Sequence, residues 1–399
     1  MQAVKAIRFN HDNTEILILL ETFRQMVNEG IRLGKPHNNI RARNKLIAIC
    51  YEEFKKYGLH THYTLSACEV ACARLKQYRK HRKLAYVRKP HLKLDNQTFK
   101  VKEDGRLRIP VKPREFLYID LKVREYHREF LRSNWHKGSV TVTPNSVTVS
   151  FSRNVPEIKP EGMVAFDTNE KSLVGIDTEG NHLHADLSMV TTIQHTYRLK
   201  RAKIQKRHHH CRTKCDRLLA KLRNRQTKRV ENILHKVSKE VVLYAKAKQY
   251  AIALEKLTNI RNSMKKGNCK GKHIRGRLNA WNFRKLQQFI EYKARWEGIP
   301  VVYVDARNTS KICSRCGCLN RLCPSDRFLQ CKQCHTIIDR HVNASINILK
   351  RACEIINRIC GDKFCPERLP DEVMNQLRDG ELTGGQVAKP YLLLKVGKG

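Results

Sequence analysis

Two pairs of cysteines stand out first: Cys313 with Cys316, and Cys331 with Cys334. Four thiolates in such Cys-x-x-Cys knuckles can close a tetrahedral site around one zinc ion, at Zn–S distances of about 2.3 Å. With every position filled by sulfur the zinc is structural, and Gly317 after the first knuckle permits the tight turn this geometry needs. Cys318, Cys323 and His335 lie beside the knuckles but complete no such spacing, and stay outside the ligand set. The chain holds 15 cysteines, an odd number. In a reducing compartment the paired knuckles point to metal rather than to a disulfide framework.

A second chemistry needs carboxylates. Two-metal hydrolysis of a phosphodiester uses acids clustered at strand ends to hold two divalent ions about 3.5–4 Å apart, and magnesium suits such oxygen sites. Asp167 ends the apolar run Val164-Ala165-Phe166, where alternation would bury it beside Met163 and Ala165, a costly position for a carboxylate without a cation. Glu255 ends the run Tyr250 to Leu254 in the same way, and Asp339 opens a helix whose Val342, Ile346 and Leu349 form the core-facing stripe. Taken alone, Asp339 reads equally well as a helix cap. The order strand-Asp, strand-Glu, helix-Asp carries the expectation that the three form one magnesium-binding catalytic set. Asp177 sits in the turn after the next strand and reads as a turn residue. The cluster His208-His209-His210-Cys211, with Cys215 four positions later, lies among Lys and Arg and reads as a solvated, nucleic-acid-facing helix.

The elements that must position these groups form an α/β chain. After a short strand near the N-terminus come three segments of helical periodicity, at about 14–30, 39–58 and 63–84, which interrupt a strand-rich region. From about 98 to 155 the period is two, with Pro144-Asn145 as a hairpin turn, and this predicts a small β-barrel or sheet. At 163 begins a meander of three strands, with its second turn at Thr178-Glu179-Gly180-Asn181, which predicts a ribonuclease H-like core. Two basic helical stretches follow, at 188–222 and 227–248, with a polar break over Arg223–Gln226. A buried strand, a basic glycine-containing loop at 264–277, an amphipathic helix at 279–297 and the strand before the zinc ribbon complete the core. The expected boundaries are 1–12 and 90–160 for the β-rich domain, 13–89 for the helices, 161–307 and 338–360 for the core, 308–337 for the ribbon, and 361–399 for a largely mobile tail.

Against 37 acidic residues stand 79 Lys and Arg among 399 positions, a formal net charge of +42 spread along the chain. Such a charge calls for a polyanion and permits binding through phosphate contacts without sequence readout. The loop at 264–277 and the two basic helices are candidate phosphate contacts, while Tyr78 and Trp135 are expected in local packing rather than base stacking. No apolar run is long enough to span a membrane and the N-terminus lacks a signal-peptide core, so a cytoplasmic, nucleoid-associated protein that is not secreted is expected.

These residues resemble the TnpB proteins of insertion sequences, relatives of the type V CRISPR effector nucleases. The likeness is carried by Ala165-Phe166-Asp167-Thr168-Asn169, by 232–242, by Leu254-Glu255-Lys256-Leu257, by 278–317 and by 331–349. The resemblance implies a RuvC-type triad of Asp167, Glu255 and Asp339 and a target-nucleic-acid-binding element built on the ribbon. It further implies a wedge domain interrupted by a helical recognition domain, a guide RNA, and cleavage of double-stranded DNA with a displaced single strand. The sequence departs from the family at two points: Phe166 replaces a small residue, and His341 stands where members commonly carry a second acid. Two other readings stay open, a catalytically silent nucleic-acid-binding regulator and a strand-joining transposase. The intact carboxylates oppose the first, and no tyrosine nucleophile flanked by a histidine pair supports the second.

Overall fold

The computed structural model describes residues 1–37, 43–81, 86–132, 135–257, 282–323, 326–360 and 392–393. They divide into two compact units, Gln2–Asn154 and Met1 with Val155–Gly399.

In the first unit, strand β1 (Gln2–Asn10) leads into helices α1 (Ile16–Gly34), α2 (Arg43–Lys55) and α3 (His62–His81). Asn13 accepts the backbone N–H of Ile16 at 3.1 Å, and Ile16, Leu19, Leu20, Phe23, Val27 and Ile31 bury one stripe of α1. Strands β2 (Leu92–Asp95), β3 (Lys100–Val101), β4 (Arg106–Lys112) and β5 (Glu115–Asp120) follow, then helix α4 (Glu125–Arg132) and strands β6 (His136–Thr143) and β7 (Ser146–Asn154). The strands pair as a four-stranded sheet, β1-β7-β6-β2, and a three-stranded one, β3-β4-β5. Thr143 pairs with Ser146, so Pro144-Asn145 is the expected two-residue turn. Helix α4 was hidden in the sequence by the alternating runs on either side of it. Trp135 packs edge-on to Phe130, with centroids 5.1 Å apart, and Lys35 lies 5.5 Å over Tyr78; both rings meet local neighbours, as expected.

The second unit opens with the predicted meander, β8 (Gly162–Thr168), β9 (Ser172–Asp177) and β10 (His182–Asp186). Helices α5 (Ser188–Arg207) and α6 (Arg212–Ala247) come next, then β11 (Tyr250–Glu255), α7 (Phe283–Trp296), β12 (Val301–Val304), β13 (Phe328–Gln330), β14 (Ile337–Asp339), α8 (Arg340–Cys360) and β15 (Leu392–Leu393). A six-stranded sheet has the order β12-β11-β8-β9-β10-β15, with β11 parallel to both its neighbours and β9 antiparallel to both of its own. Every residue of β8 and β11 is buried. Alternation sends Val164, Phe166, Ile252 and Leu254 into a core with α5, α6 and α7, and Met163, Ala165, Ala251 and Ala253 into a second core with Val342, Ile346 and Leu349 of α8. Small alanines on the α8 side let that helix approach the strand ends.

One expectation is corrected. Helix α6 runs unbroken through Arg223–Gln226, and the break falls at His208–Cys211 instead. Arg and Gln are good helix formers and Asn a tolerated one, so polarity without Gly or Pro is no stop signal. In the tail, expected to be largely mobile, the described residues Leu392 and Leu393 pair in parallel with Leu183 and His184 at the sheet edge. The rest of 361–399, like the loop at 264–277, lies outside the described residues. Among the described residues no helix is long and apolar enough to cross a membrane.

Candidate active site and metal centre

Strands β8 and β11 are parallel neighbours in the register Phe166 to Leu254, so the next residues, Asp167 and Glu255, lie side by side at the strand ends. Both project to the face that α8 covers, and their exposures are only 7% and 5%. Burial, and then the neighbouring charge of Asp167, push the Glu255 carboxyl up to about 8, although the Thr309 hydroxyl and Arg351 act the other way. Two carboxyl groups so placed cannot both ionise cheaply without a cation, and this is the observation that makes the pair fit a divalent metal. Asn169 Nδ2 donates to Asp167 Oδ2 at 2.8 Å, and His341 Nδ1 lies 2.9 Å from the same oxygen. The Thr309 hydroxyl donates to Glu255 Oε1 at 2.8 Å, and Gln287 Nε2 donates to the Glu255 carbonyl at 2.8 Å.

Phe166 fits because Gly175 lies opposite it in the β8–β9 register. A Cβ on Gly175 would sit 2.5 Å from the Phe166 ring, so the departure at one position is matched by the absence of a side chain at the other.

Asp339 is the last residue of β14, and its Oδ1 accepts the backbone N–H of His341 at 2.8 Å, so it caps α8. Its Oδ2 receives Arg327 Nε at 3.1 Å. The side chain that reaches Asp167 from the helix head is thus His341. Among the described residues, the set of three or more His, Cys, Asp and Glu gathered as possible metal ligands is the four cysteines; neither the three expected carboxylates nor Asp167, Glu255 and His341 are gathered so tightly, and the last three are joined only pairwise through Asp167.

The thiols of Cys313, Cys316, Cys331 and Cys334 all lie within 4.8 Å of one another. Cys313 and Cys334 are 3.6 Å apart and Cys316 and Cys331 3.4 Å apart, close to the ~3.8 Å edge of a tetrahedron with 2.3 Å bonds. Desolvation opposes ionisation of Cys331, but the N–H groups of Cys334 and Gln333 aimed at its sulfur bring it down to about 6. The knuckles turn through left-handed residues, Gly317 at φ +77° and His335 at φ +55°, whose N–H groups bond back to the carbonyls of Cys313 and Cys331. His335 therefore shapes the second turn, and neither it nor Cys318 nor Cys323 joins the ligand group.

The ribbon is tied to the carboxylate site at both of its ends. Phe328 pairs with Asp339 across the β13–β14 hairpin, which places the α8 cap at the end of the ribbon's own sheet. At the other end, Asn347 Nδ2 donates to the carbonyls of Thr309 and Ile312 at 2.8 and 2.7 Å, and Asn343 Oδ1 accepts the Ser314 N–H at 2.8 Å. The same loop carries the Thr309 hydroxyl that bonds Glu255. Sequence reasoning missed Asn169, Thr309, Asn343 and Asn347. The available signal was polar residues spaced four apart beside the apolar stripe of α8, whose burial only a polar partner could permit.

Asp177 is the turn residue it was expected to be, fully buried and accepting the N–H groups of Glu179 and Asn181 and the hydroxyl of Tyr244. Cys211 is the residue before α6, and its carbonyl accepts the Cys215 N–H at 3.0 Å; the two thiols are not part of the metal-ligand cluster found among the described residues. Between Tyr197 and Val230 neither α5 nor α6 buries a residue, and the single acid there is Asp216 among many Lys and Arg.

Residues 283–348 match the family model described as "Cas12f1-like, TNB domain". The chain is 36% identical over 276 residues to "TnpB-like protein MJ0751" of Methanocaldococcus jannaschii, an alignment that covers 67% of this chain and 96% of that one. It is 32% identical over 139 residues to "CRISPR-associated endodeoxyribonuclease Cas12f2" of Micrarchaeota archaeon, covering 31% of this chain and 24% of that relative. Among solved structures, that of the "Cas12f1-sgRNA-target DNA complex" superposes with a TM-score of 0.62 at 14% identity, covering 84% of this chain and 82% of that chain, which is a likeness of fold.

Proposed function

This chain belongs to the TnpB family, and from that premise we propose that it is a transposon-encoded, RNA-guided DNA endonuclease. The observation that carries the reading is the buried Asp167–Glu255 pair at adjacent strand ends, a placement that asks for a divalent cation, for which magnesium is the natural occupant. A cation held there would stabilise charge on the scissile phosphate and ease deprotonation of the attacking water. Asn169 and Thr309 orient the two carboxylates, and Gln287 fixes the end of β11. Asp339, capping α8, sets the start of the helix that closes the site.

The remaining assignments follow from the same premise. The six-stranded sheet with its helices is the RuvC-like, ribonuclease H-like core, and the four cysteines hold structural zinc. The strands and helices of Gln2–Asn154 serve as wedge and recognition domains. Relatives named as RNA-guided or CRISPR-associated endonucleases support a guide RNA and target DNA as partners. The basic, unburied stretch between Tyr197 and Val230 supplies phosphate contacts for one of them. In such a complex base pairing selects the sequence, while the protein reads backbone and shape.

The test is to purify the chain with its bound RNA, sequence that RNA, and offer DNA that matches it beside a library of flanking motifs. Cleavage confined to matched DNA supports the reading. Matched DNA left intact beside every flank contradicts the nuclease, and arrival without a specific RNA contradicts the guide.

A further inference from the structure

The helix head presents an imidazole to Asp167. We propose that His341, rather than Asp339, is the third side-chain ligand of the cation held by Asp167 and Glu255, so that two carboxylates and one nitrogen line the site. This rests on the nuclease reading and specifies its metal centre.

Three observations carry it. His341 Nδ1 lies 2.9 Å from Asp167 Oδ2, and ligand atoms at adjacent corners of an octahedron with bonds of about 2.1 Å are about 3.0 Å apart. The spacing that now serves a hydrogen bond therefore also suits a shared ion. Asp339 places one oxygen on the His341 N–H and meets Arg327 with the other. Its capping bond orients the turn that carries the imidazole, so Asp339 is a positioning residue. Finally, the His341 turn is anchored to the sheet: Ser345 Oγ is bonded to the carbonyls of both His341 and Val174, while the imidazole keeps 24% side-chain exposure and stays reachable by a cation.

The chemical consequence concerns metal choice. Imidazole nitrogen favours later divalent metals over magnesium, which prefers an all-oxygen shell. Relative to a site with a carboxylate at position 341, this one is biased toward Mn²⁺.

The direct test uses the zinc-loaded, RNA-free chain with Mn²⁺ as probe and pulsed electron paramagnetic resonance to detect ¹⁴N bound to the ion. Wild type, His341→Asp, His341→Gln, Asp339→Asn and Asp167→Asn are compared. The expected result is ¹⁴N coupling in wild type and Asp339→Asn, and its loss in both His341 variants. His341→Gln should bind Mn²⁺ at least about tenfold more weakly, and His341→Asp should gain Mg²⁺ relative to Mn²⁺. Coupling that is absent from wild type, or unchanged in both His341 variants, while Asp167→Asn abolishes Mn²⁺ binding, overturns the nitrogen ligand and leaves the carboxylate site standing. Mn²⁺ binding that Asp167→Asn does not affect overturns the metal-site reading, and this proposal with it.

Discussion

The thiol and carboxylate centres of the second unit reach their ligands by opposite routes. Cys313, Cys316, Cys331 and Cys334 come from two tight turns of one small element and converge before any ion is considered. Asp167, its strand neighbour Glu255 and its contact His341, the groups of the proposed cation site, arrive from two strands and a helix head, and Asp167 touches each of the others only because of the sheet register and the placement of α8. A closed structural site can be specified by local spacing, whereas a site that must admit substrate is assembled by the whole fold. The hydrogen bonds of Asn343 and Asn347 join the two, so the local site also holds the distributed one in place.

The comparison breaks most sharply where one centre is destroyed and the other is watched. Asp167→Asn should remove several kcal/mol of charge stabilisation, reducing guided cleavage about 10³-fold or more, with zinc content by metal analysis unchanged. Cys331→Ser, or zinc removal by a strong chelator, should abolish cleavage indirectly. Structural four-ligand zinc is worth about 10–16 kcal/mol in isolated peptides, so its loss frees both the α8 cap and the Thr309 loop. Hydrogen exchange should then rise across 308–339 while β8 and β11 stay protected, and retained cleavage by the zinc-free protein would show the centres to be independent.

Smaller changes probe the joint itself. Asn347→Ala removes one of the two amide donors to the carbonyls of Thr309 and Ile312, the other being Asn343 Nδ2, and should cost about 0.5–1.5 kcal/mol in thermal denaturation. Thr309→Val should lower cleavage by about 10- to 100-fold with little loss of stability. Equal losses of stability and activity in both variants would argue against a distinct positioning role for the hydroxyl.

A separate effect is one of pH. Burial and Asp167 raise the folded-state Glu255 from 4.5 to about 8. The folded chain therefore binds more protons than the unfolded one between these values, and the stability from this group is full below about pH 4.5 and lost as pH rises through about 8. The melting temperature of the chelated protein should decline across that window, and saturating Mg²⁺ should flatten the decline. No difference between the two profiles would argue against a cation at this pair.

The same contrast explains what could be read from the residues alone. The cysteine knuckles, the hairpin at Pro144-Asn145, the meander from Gly162 and the Val342-Ile346-Leu349 stripe all follow from spacing within one element. Asp167 and Glu255 were legible because a carboxylate ending a fully buried run violates the pattern around it. Alternation could say which face of the sheet they share, but not which side chain at the head of α8 would touch Asp167, so the His341 contact went unseen. The partners Thr309, Asn343 and Asn347 depend on contacts distant in sequence, which no periodicity encodes. The misplaced helix break came from treating polarity over Arg223–Gln226 as a terminator. Phe166 and Gly175 show a further kind of hidden information, since each residue is explained only by the other across the strand pair.

The most direct measurement is guided cleavage by protein whose ribbon retains zinc but whose weakly held cations have been removed with a mild chelator. The account predicts no cleavage in that state, recovery when Mg²⁺ or Mn²⁺ is returned, and no recovery by Asp167→Asn with either ion. Cleavage that persists without the returned ion, or in Asp167→Asn, would contradict a catalytic cation site at Asp167 and Glu255.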